Sequence, residues 1–184
     1  RGLFETRVEQ MFGGAMGSDA FLMKEVLSAR LEQFLRQEAR RCERVAQVLY
    51  LEHAFEDVID FPCGPVKFVY RVDRVDRAAD GTIMIIDYKT GVMDRMPALS
   101  SITSFQMPLY VHYLDRLYPD ASVNAAIYHL RTSKLETFLD DAGPVSRKTV
   151  LPRFMTALGA VMAQIFDPAV PFKNSASLLV NARY

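Results

Sequence analysis

The chain has 184 residues, of which 50% are hydrophobic and 24% charged, and its formal net charge is zero. This is the balance of a soluble globular protein, and no stretch approaches the roughly 20 apolar residues that a membrane-crossing helix needs. Zero net charge counts mildly against a nucleic-acid binder, although a local basic patch can supply the same attraction.

The two cysteines, Cys42 and Cys63, form no CxxC motif and no cluster with histidine. This excludes a disulfide framework and a zinc site, and it favours a reducing, cytoplasmic compartment of bacterial type. The chain begins at Arg1 rather than at a methionine. We therefore expect one domain over residues 1–184 that is a fragment of a larger protein.

The first long element is a helix, which Ser18 or Asp19 caps and which runs to about Val45. Residues 1–17 are ambiguous, because glycines interrupt a short amphipathic start at 13, 14 and 17. The long helix has an apolar stripe of Leu22, Val26, Leu27, Leu31, Phe34 and Leu35. Its other face carries Arg36, Arg40, Arg41 and Arg44, interleaved with Glu38 and Glu43, which indicates a solvated surface more than a phosphate contact.

Strands and helices then alternate along the rest of the chain. Alternating patterns predict strands over 48–58, 66–76 and 82–89, and a helix follows over 104–118 after a loop rich in Met, Pro and Ser. A strand over 123–131, a hairpin partner over 134–139 and a helix over 150–166 complete the order. This order predicts an α/β fold with a mixed β-sheet flanked by α-helices.

The chemistry lies in the hairpin formed by the second and third strands. Side chains alternate along a strand, so Asp87 and Lys89 point to the same face. If residues 79–81 form a three-residue loop with Gly81 in the left-handed conformation, Ala78 faces Thr82. Counting back places Asp73 opposite Asp87, with Cβ atoms ~5 Å apart.

Two carboxylates this close repel each other unless a divalent cation lies between them, and oxygen ligands suit Mg²⁺ or Mn²⁺. The geometry alone leaves an ordinary ion pair between Asp87 and Lys89 equally open. Asp76 is offset from Asp73 by an odd number of residues, so we expect it on the opposite face, paired with an arginine at the surface.

Three motifs carry a resemblance to a known family. They are YRVDRVD from Tyr70 to Asp76, IDYKTG from Ile86 to Gly91, and Gln106 with Tyr110 in QMPLY. In order and spacing they resemble the PD-(D/E)XK nuclease superfamily, and in detail the RecB/AddB-type nuclease domains. The resemblance is strong over 48–113 and implies a restriction-endonuclease-like fold and metal-dependent hydrolysis of DNA.

The resemblance also implies residue roles. Asp73 and Asp87 resemble the metal-binding acids, the Tyr88 carbonyl completes the inner shell, and Lys89 positions or activates the attacking water. Gln106 and Tyr110, one helical turn apart, correspond to the pair that holds the lysine or the DNA backbone. Glu52 matches the acidic residue of the preceding strand, as a further metal ligand or as a surface acid.

The chain departs from the family pattern in three places. Tyr70 stands where glycine is usual, and the His or Glu that many members carry on an upstream helix has no clear equivalent, Glu25 and Glu32 being the candidates. Some AddB-like relatives hold an iron–sulfur cluster, which needs four thiolates. Two cysteines cannot supply them, so we expect no iron–sulfur cluster in this fragment.

We therefore predict a Mg²⁺- or Mn²⁺-dependent deoxyribonuclease of DNA repair or recombination, most simply an exonuclease. Its partners would be DNA and a helicase domain or subunit, with no membrane. Arg71, Arg74 and Arg77 are candidate contacts to the DNA backbone. One alternative is a catalytically degenerate nuclease fold that serves as a DNA-binding or protein-interaction scaffold. Another is a nuclease that acts on RNA or on a mobile-element intermediate.

Overall fold

The computed structural model describes residues 2–12, 18–91, 104–139 and 144–171. The predicted glycine interruption at 13–17 and most of the predicted loop between the third strand and the following helix lie outside these ranges. Everything below refers to the described residues.

The predicted order of strands and helices is confirmed, with one further helix at the start. The helices are α1 (Gly2–Phe12), α2 (Ser18–Cys42), α3 (Gln106–Leu117) and α4 (Pro144–Phe166). The strands are β1 (Val45–Phe61), β2 (Gly64–Ala78), β3 (Ile83–Lys89), β4 (Val123–His129) and β5 (Lys134–Thr137). The main differences from expectation are that β1 and β2 are longer and that α4 begins six residues earlier.

The five strands form one mixed sheet in the order β1-β2-β3-β4-β5. Neighbouring strands are antiparallel except β3 and β4, which are parallel. A parallel connection needs a crossover, and α3 supplies it. The predicted mixed sheet flanked by helices is therefore confirmed.

The main core lies between the sheet and α3. Ile83 and Ile85 of β3 are fully buried, and on β4 they face Val123 and Ala125. From α3, apolar side chains at helical spacing close this layer, namely Met107, Val111 and Leu114. Burying each large apolar side chain contributes ~1.5–3 kcal/mol, so this face fixes α3 against the end of β3.

Helix α2 lies on the opposite face of the sheet and is joined to it by ion pairs. Asp76, only 1% exposed, accepts hydrogen bonds from Arg41 (2.5 Å) and Arg74 (2.8 Å). Glu38 accepts two more from Arg41 and one from Arg74. The sequence correctly predicted that Asp76 pairs with arginine, but its placement at the surface was wrong, because α2 covers it.

The apolar stripe of α2 is largely exposed. Leu22 is 65% exposed, and Val26, Leu27 and Leu35 are each at least 43% exposed among the described residues. The arginine face of α2 was predicted to be solvated. This was wrong for Arg41, which lies in the buried ion-pair cluster.

The length and hydropathy of helix α4 differ from what the sequence analysis expected about membrane-crossing segments. Its segment Lys148–Phe166 is long and apolar enough to cross a membrane by length and composition, and 17% of it is buried. The statement that no stretch approaches this length was therefore wrong. Leu151, Phe154 and Leu158 of the same helix are buried in the protein. The absence of a membrane partner stays a prediction.

We predict that Asp76→Ala destabilises the protein by roughly 3 kcal/mol, because it leaves two buried guanidinium groups short of a carboxylate. The free energy of unfolding from urea titration measures this. Asp60→Ala, which removes an exposed carboxylate from β1, is the matched control and should change stability by less than about 0.5 kcal/mol. Equal effects of the two variants would show that the cluster does not hold α2 on the sheet.

The stability of the protein should fall at mildly acidic pH partly through His112 on α3. Burial, helped by the charge of Arg116, lowers the pKa of His112 below its usual value. The unfolded chain therefore takes up the proton first, so this contribution is present above about pH 6.5 and is lost as the pH falls through the folded-state pKa. We predict that His112→Gln loses less stability than the wild type between about pH 7 and pH 5. Parallel curves for the two proteins would contradict this.

Candidate active site

The hairpin of β2 and β3 has the predicted register. The amide of Ala78 donates to the carbonyl oxygen of Thr82 at 2.8 Å, and Gly81 has a φ of 87°. The paired positions run from Arg77 opposite Ile83 to Arg74 opposite Ile86. The pairing ends there, and Asp73 and Asp87 are the next residues along each strand.

Asp87 and Lys89 form an ion pair at the end of β3. The Lys89 Nζ atom lies 2.8 Å from Asp87 Oδ2. The Asp87 side chain is 5% exposed, whereas that of Lys89 is 28% exposed. A buried carboxylate is stable only with charge or hydrogen-bond partners, and here the ammonium is one of them while it also reaches solvent.

Gln106, the first residue of α3, joins the ion pair. Its Nε2 donates to Asp87 Oδ1 at 2.8 Å and to the Tyr110 hydroxyl at 2.9 Å, while its Oε1 accepts from Lys89 at 3.4 Å. The Tyr110 hydroxyl in turn donates to the main-chain carbonyl of Arg71 at 2.6 Å. One amide therefore links β2, β3 and α3.

The start of α3 fixes this amide in place. Ser104 Oγ accepts the amide hydrogen of Gln106 at 3.2 Å, and Pro108 fits the first turn, where no intrahelical donor is needed. Burial raises the pKa of Tyr110. The hydrogen bond from Gln106 lowers this pKa, whereas the negative charges of Asp87 and Asp73 raise it further. The Tyr110 hydroxyl thus stays protonated and can donate to Arg71.

Asp73 is held by the main chain of β3. Its Oδ2 accepts the amide hydrogen of Tyr88 at 2.8 Å. This bond orients the carboxylate toward the same strand end that carries Asp87 and Lys89. The structure therefore brings together Asp73, Asp87, Lys89, Gln106 and Tyr110, all of which the sequence selected.

Glu52 lies next to this group but is turned away from it. Leu51 faces Arg74 and His53 faces Val72, so Glu52 is opposite Asp73 on β1. Its φ of 47° is left-handed, which costs a non-glycine residue roughly 1–2 kcal/mol. The Glu52 carboxylate is exposed and pairs with Arg71 at 3.2 Å.

The three arginines proposed for DNA have different surroundings. Arg71 is exposed and paired with Glu52, so its guanidinium is accessible to solvent. Arg74 is 14% exposed and bonded to Asp76 and Glu38. Arg77 is half-buried, and its guanidinium carbon lies 5.7 Å from the centre of the Tyr118 ring.

Sequence reasoning missed the cluster of Glu38, Arg41, Arg74 and Asp76. It treated Glu38 as a reason to regard the arginine face as solvated, yet Glu38 is 8% exposed. The available signal was the i, i+3 spacing of Glu38 and Arg41, which permits a pair on one helix face. That spacing does not reveal a partner 35 residues away.

The donor set at the end of β3 fits a hard divalent cation. Asp73 of β2 and Asp87 of β3 supply carboxylate oxygens beside each other's strands, and main-chain carbonyls of β3 are further oxygen donors. Within the described ranges no group of three or more His, Cys, Asp or Glu side chains gathers. Of the upstream candidates, Glu25 is exposed and Glu32 pairs with Arg36 on the surface of α2.

Comparison with known proteins identifies the family. The sequence model of the PD-(D/E)XK nuclease superfamily matches residues 3–177, so the chain belongs to this superfamily and has its restriction-endonuclease-like α/β fold. Its members are typically nucleases and generally use divalent metal ions. No curated protein matches the chain.

We predict that Gln106→Ala lowers the rate of DNA hydrolysis by about ten- to a hundredfold, because Lys89 and Asp87 lose the amide that orients both. The rate is measured with a labelled DNA substrate, alongside the far-ultraviolet circular dichroism spectrum to monitor the fold. Gln47→Ala, an exposed glutamine of β1, is the control and should hydrolyse DNA at the wild-type rate. If Gln106→Ala matched that control, the amide would have no positioning role.

Proposed function

We propose that this protein is a Mg²⁺- or Mn²⁺-dependent deoxyribonuclease of the RecB/AddB type, which degrades DNA from its ends during repair or recombination. The observation that carries the proposal is the group at the end of β3, where Lys89 contacts Asp87 at 2.8 Å and Asp73 accepts the amide hydrogen of Tyr88 at 2.8 Å. Two acids supply oxygen ligands for a metal ion, and a partly exposed ammonium offsets the negative charge that develops during hydrolysis of a phosphodiester.

The residues that would hold the metal ion are Asp73, Asp87 and the carbonyl of Tyr88. A divalent ion held there would polarise the scissile phosphate and lower the pKa of a bound water molecule. The hydrogen bond from Tyr88 to Asp73 keeps that carboxylate directed to the strand end in advance. Glu52 pairs with Arg71 in this structure, and its role as a further metal ligand stays a prediction.

Lys89 has the position to act on the reacting phosphate. Its ammonium is held by Asp87 and by Gln106 while 28% of the side chain is exposed. A fixed cation at this place offsets the negative charge that develops on the phosphate oxygens and orients the attacking water. Gln106 and Tyr110 are positioning residues, since they act through Lys89 and Asp87.

DNA binding would rest on local charge, because the net charge of the chain is zero. Arg71 is exposed beside the site, and the arginines of α2 other than Arg41 remain candidates. Contacts of this kind read the DNA backbone without sequence preference, and they weaken as salt rises. A helicase domain or subunit in the cytoplasm is the partner we propose, because such a partner would deliver DNA to a domain that has no net positive charge.

A second candidate function is a scaffold that binds DNA or protein without cleaving DNA. The observation that favours it is the small number of acidic groups at the site within the described residues. Calorimetric titration with Mn²⁺ separates the two functions. Binding that Asp87→Ala removes supports the nuclease, whereas no binding, or binding untouched by that substitution, supports the scaffold.

The principal test compares linear and circular DNA, single- and double-stranded, in Mg²⁺ or Mn²⁺ and in EDTA. We predict metal-dependent loss of linear DNA only, and a drop of at least about a hundredfold in Lys89→Ala, because the fixed cation at the phosphate is lost. Lys67→Ala is the matched control, since Lys67 is an exposed lysine of the same hairpin, paired with Glu56.

Each alternative outcome has a distinct meaning. Cleavage of circular DNA would show that the enzyme is an endonuclease. Activity retained in Lys89→Ala would show that Lys89 is not part of the catalytic centre. No cleavage in either metal, with Mn²⁺ bound at Asp87, would point to a different nucleic acid as substrate, and the same assay on RNA would then identify it.

A further inference from the structure

The first half of helix α2 carries exposed apolar side chains between one acidic and one basic residue. Leu22, Met23 and Val26 are exposed, and Asp19 precedes them while Arg30 follows. Successive members are one, three or four residues apart, and such spacings place all five on one side of a helix. Asp19, Leu22, Met23, Val26 and Arg30 together form the α2 stripe.

The α2 stripe points away from the contacts that α2 makes with the rest of the protein. Ser28 follows Val26 by two residues, which is about half a turn around the helix. The Ser28 side chain is buried and lines a small space together with Phe4 of α1. The side of α2 opposite the stripe is therefore the side that packs against α1.

An aromatic cavity of about 560 Å³ adjoins the stripe, between α1, α2 and the end of β3. Phe34 and Tyr88 form part of its wall, and Leu27 and Arg30 border it. The apolar surface therefore continues past the stripe into a concave region. Soluble proteins rarely leave contiguous apolar surface uncovered, and such a surface marks an interaction site.

The two charged ends of the stripe restrict what can cover it. Asp19 is exposed and Arg30 partly exposed, and within the described ranges no salt bridge engages either side chain. A purely apolar partner leaves both charges without a counter-charge, and DNA gains nothing from the apolar centre or the acid. A complementary surface has an apolar centre, a cation opposite Asp19 and an anion opposite Arg30.

A second copy of α2 in antiparallel orientation has this composition. If the two helices cross level with the midpoint between residues 24 and 25, Asp19 faces the second copy's Arg30. In the same register Leu22 faces Leu27, and Met23 faces Val26. Two-fold symmetry repeats every contact, so both charged ends are paired twice and the centre is apolar on both sides. A parallel pair would instead place Asp19 against Asp19.

We propose that this protein forms a symmetric dimer through the α2 stripe, with the two α2 helices antiparallel. The inference goes beyond the proposed function and does not depend on it. From Asp19 to Arg30 the helix rises roughly 17 Å, which makes the contact short. We therefore expect a reversible dimer with a dissociation constant of roughly 10 µM and not an obligate one.

The first experiment measures the mass of the full chain by sedimentation equilibrium between about 1 and 300 µM, where monomer should pass to dimer as concentration rises. Asp19→Arg and Arg30→Asp should each weaken the dimer by about tenfold, because symmetry turns both charge pairs into repulsive ones. Val26→Asp should leave only monomer, since it places two carboxylates in the apolar centre. Arg40→Asp is the matched control, because Arg40 is exposed on α2 beyond the overlap, and it should dimerise like the wild type.

The second experiment restores the charge pairs. The double variant with both Asp19→Arg and Arg30→Asp reverses each pair without removing it, so its dissociation constant should return to within about threefold of the wild type. An equimolar mixture of the two single variants should also form a mixed dimer, since each basic end then meets an acidic one. Damage to the fold cannot produce either recovery, and the far-ultraviolet circular dichroism spectrum checks that α2 is intact in each variant.

Each other outcome overturns a stated part of the proposal. A chain that stays monomeric over the whole concentration range overturns the dimer, and a dimer that Val26→Asp leaves intact places the interface elsewhere. Loss in Val26→Asp without any effect of the two charge reversals overturns the antiparallel register. Charge reversals that weaken the dimer without recovery in the double variant overturn the pairing of Asp19 with Arg30. None of these results depends on whether the protein cleaves DNA.

Discussion

The buried carboxylate of Asp87 is the feature on which the rest of the site depends. At 3% exposure it needs compensating partners, and it has them in the Lys89 ammonium and the Gln106 amide. Since one partner lies on β3 and the other on α3, the carboxylate is satisfied only when the crossover helix is docked on the sheet. Folding of the core and assembly of the catalytic group are therefore the same event.

The two faces of the sheet are covered by different kinds of contact. On the α3 face, Ile83 and Ile85 lie in the apolar core and Asp87 continues the same row to the open strand end. On the α2 face, the ion pairs of Asp76 with Arg41 and Arg74 replace much of the apolar contact expected of a long helix. Charged groups at α2 thus hold a helix whose apolar residues remain exposed, and the aromatic cavity lies on that face, beside the strand end.

Some elements were predictable because they depend on local rules. Side-chain alternation along β3 put Asp87 and Lys89 on one face, and a turn with Gly81 in the left-handed conformation set the register of β2 against β3. The three motifs then predicted the PD-(D/E)XK nuclease superfamily, which the match over residues 3–177 confirms, whereas the RecB/AddB type stays a proposal. The roles of Glu52 and of the three DNA-contact arginines stay predictions.

The sequence by itself determined the order of elements, the hairpin register and the set of residues at the end of β3. The order and the register depend on residues within one strand, one turn or one helical turn of each other, whereas Gln106 and Tyr110 were identified through the family resemblance. Only the tertiary structure decided that Asp76 is buried, that Glu38 joins α2 to β2, and that an aromatic cavity forms between α1, α2 and the end of β3. Each of these depends on contacts between residues distant in the chain, and no local periodicity specifies which distant side chains will meet.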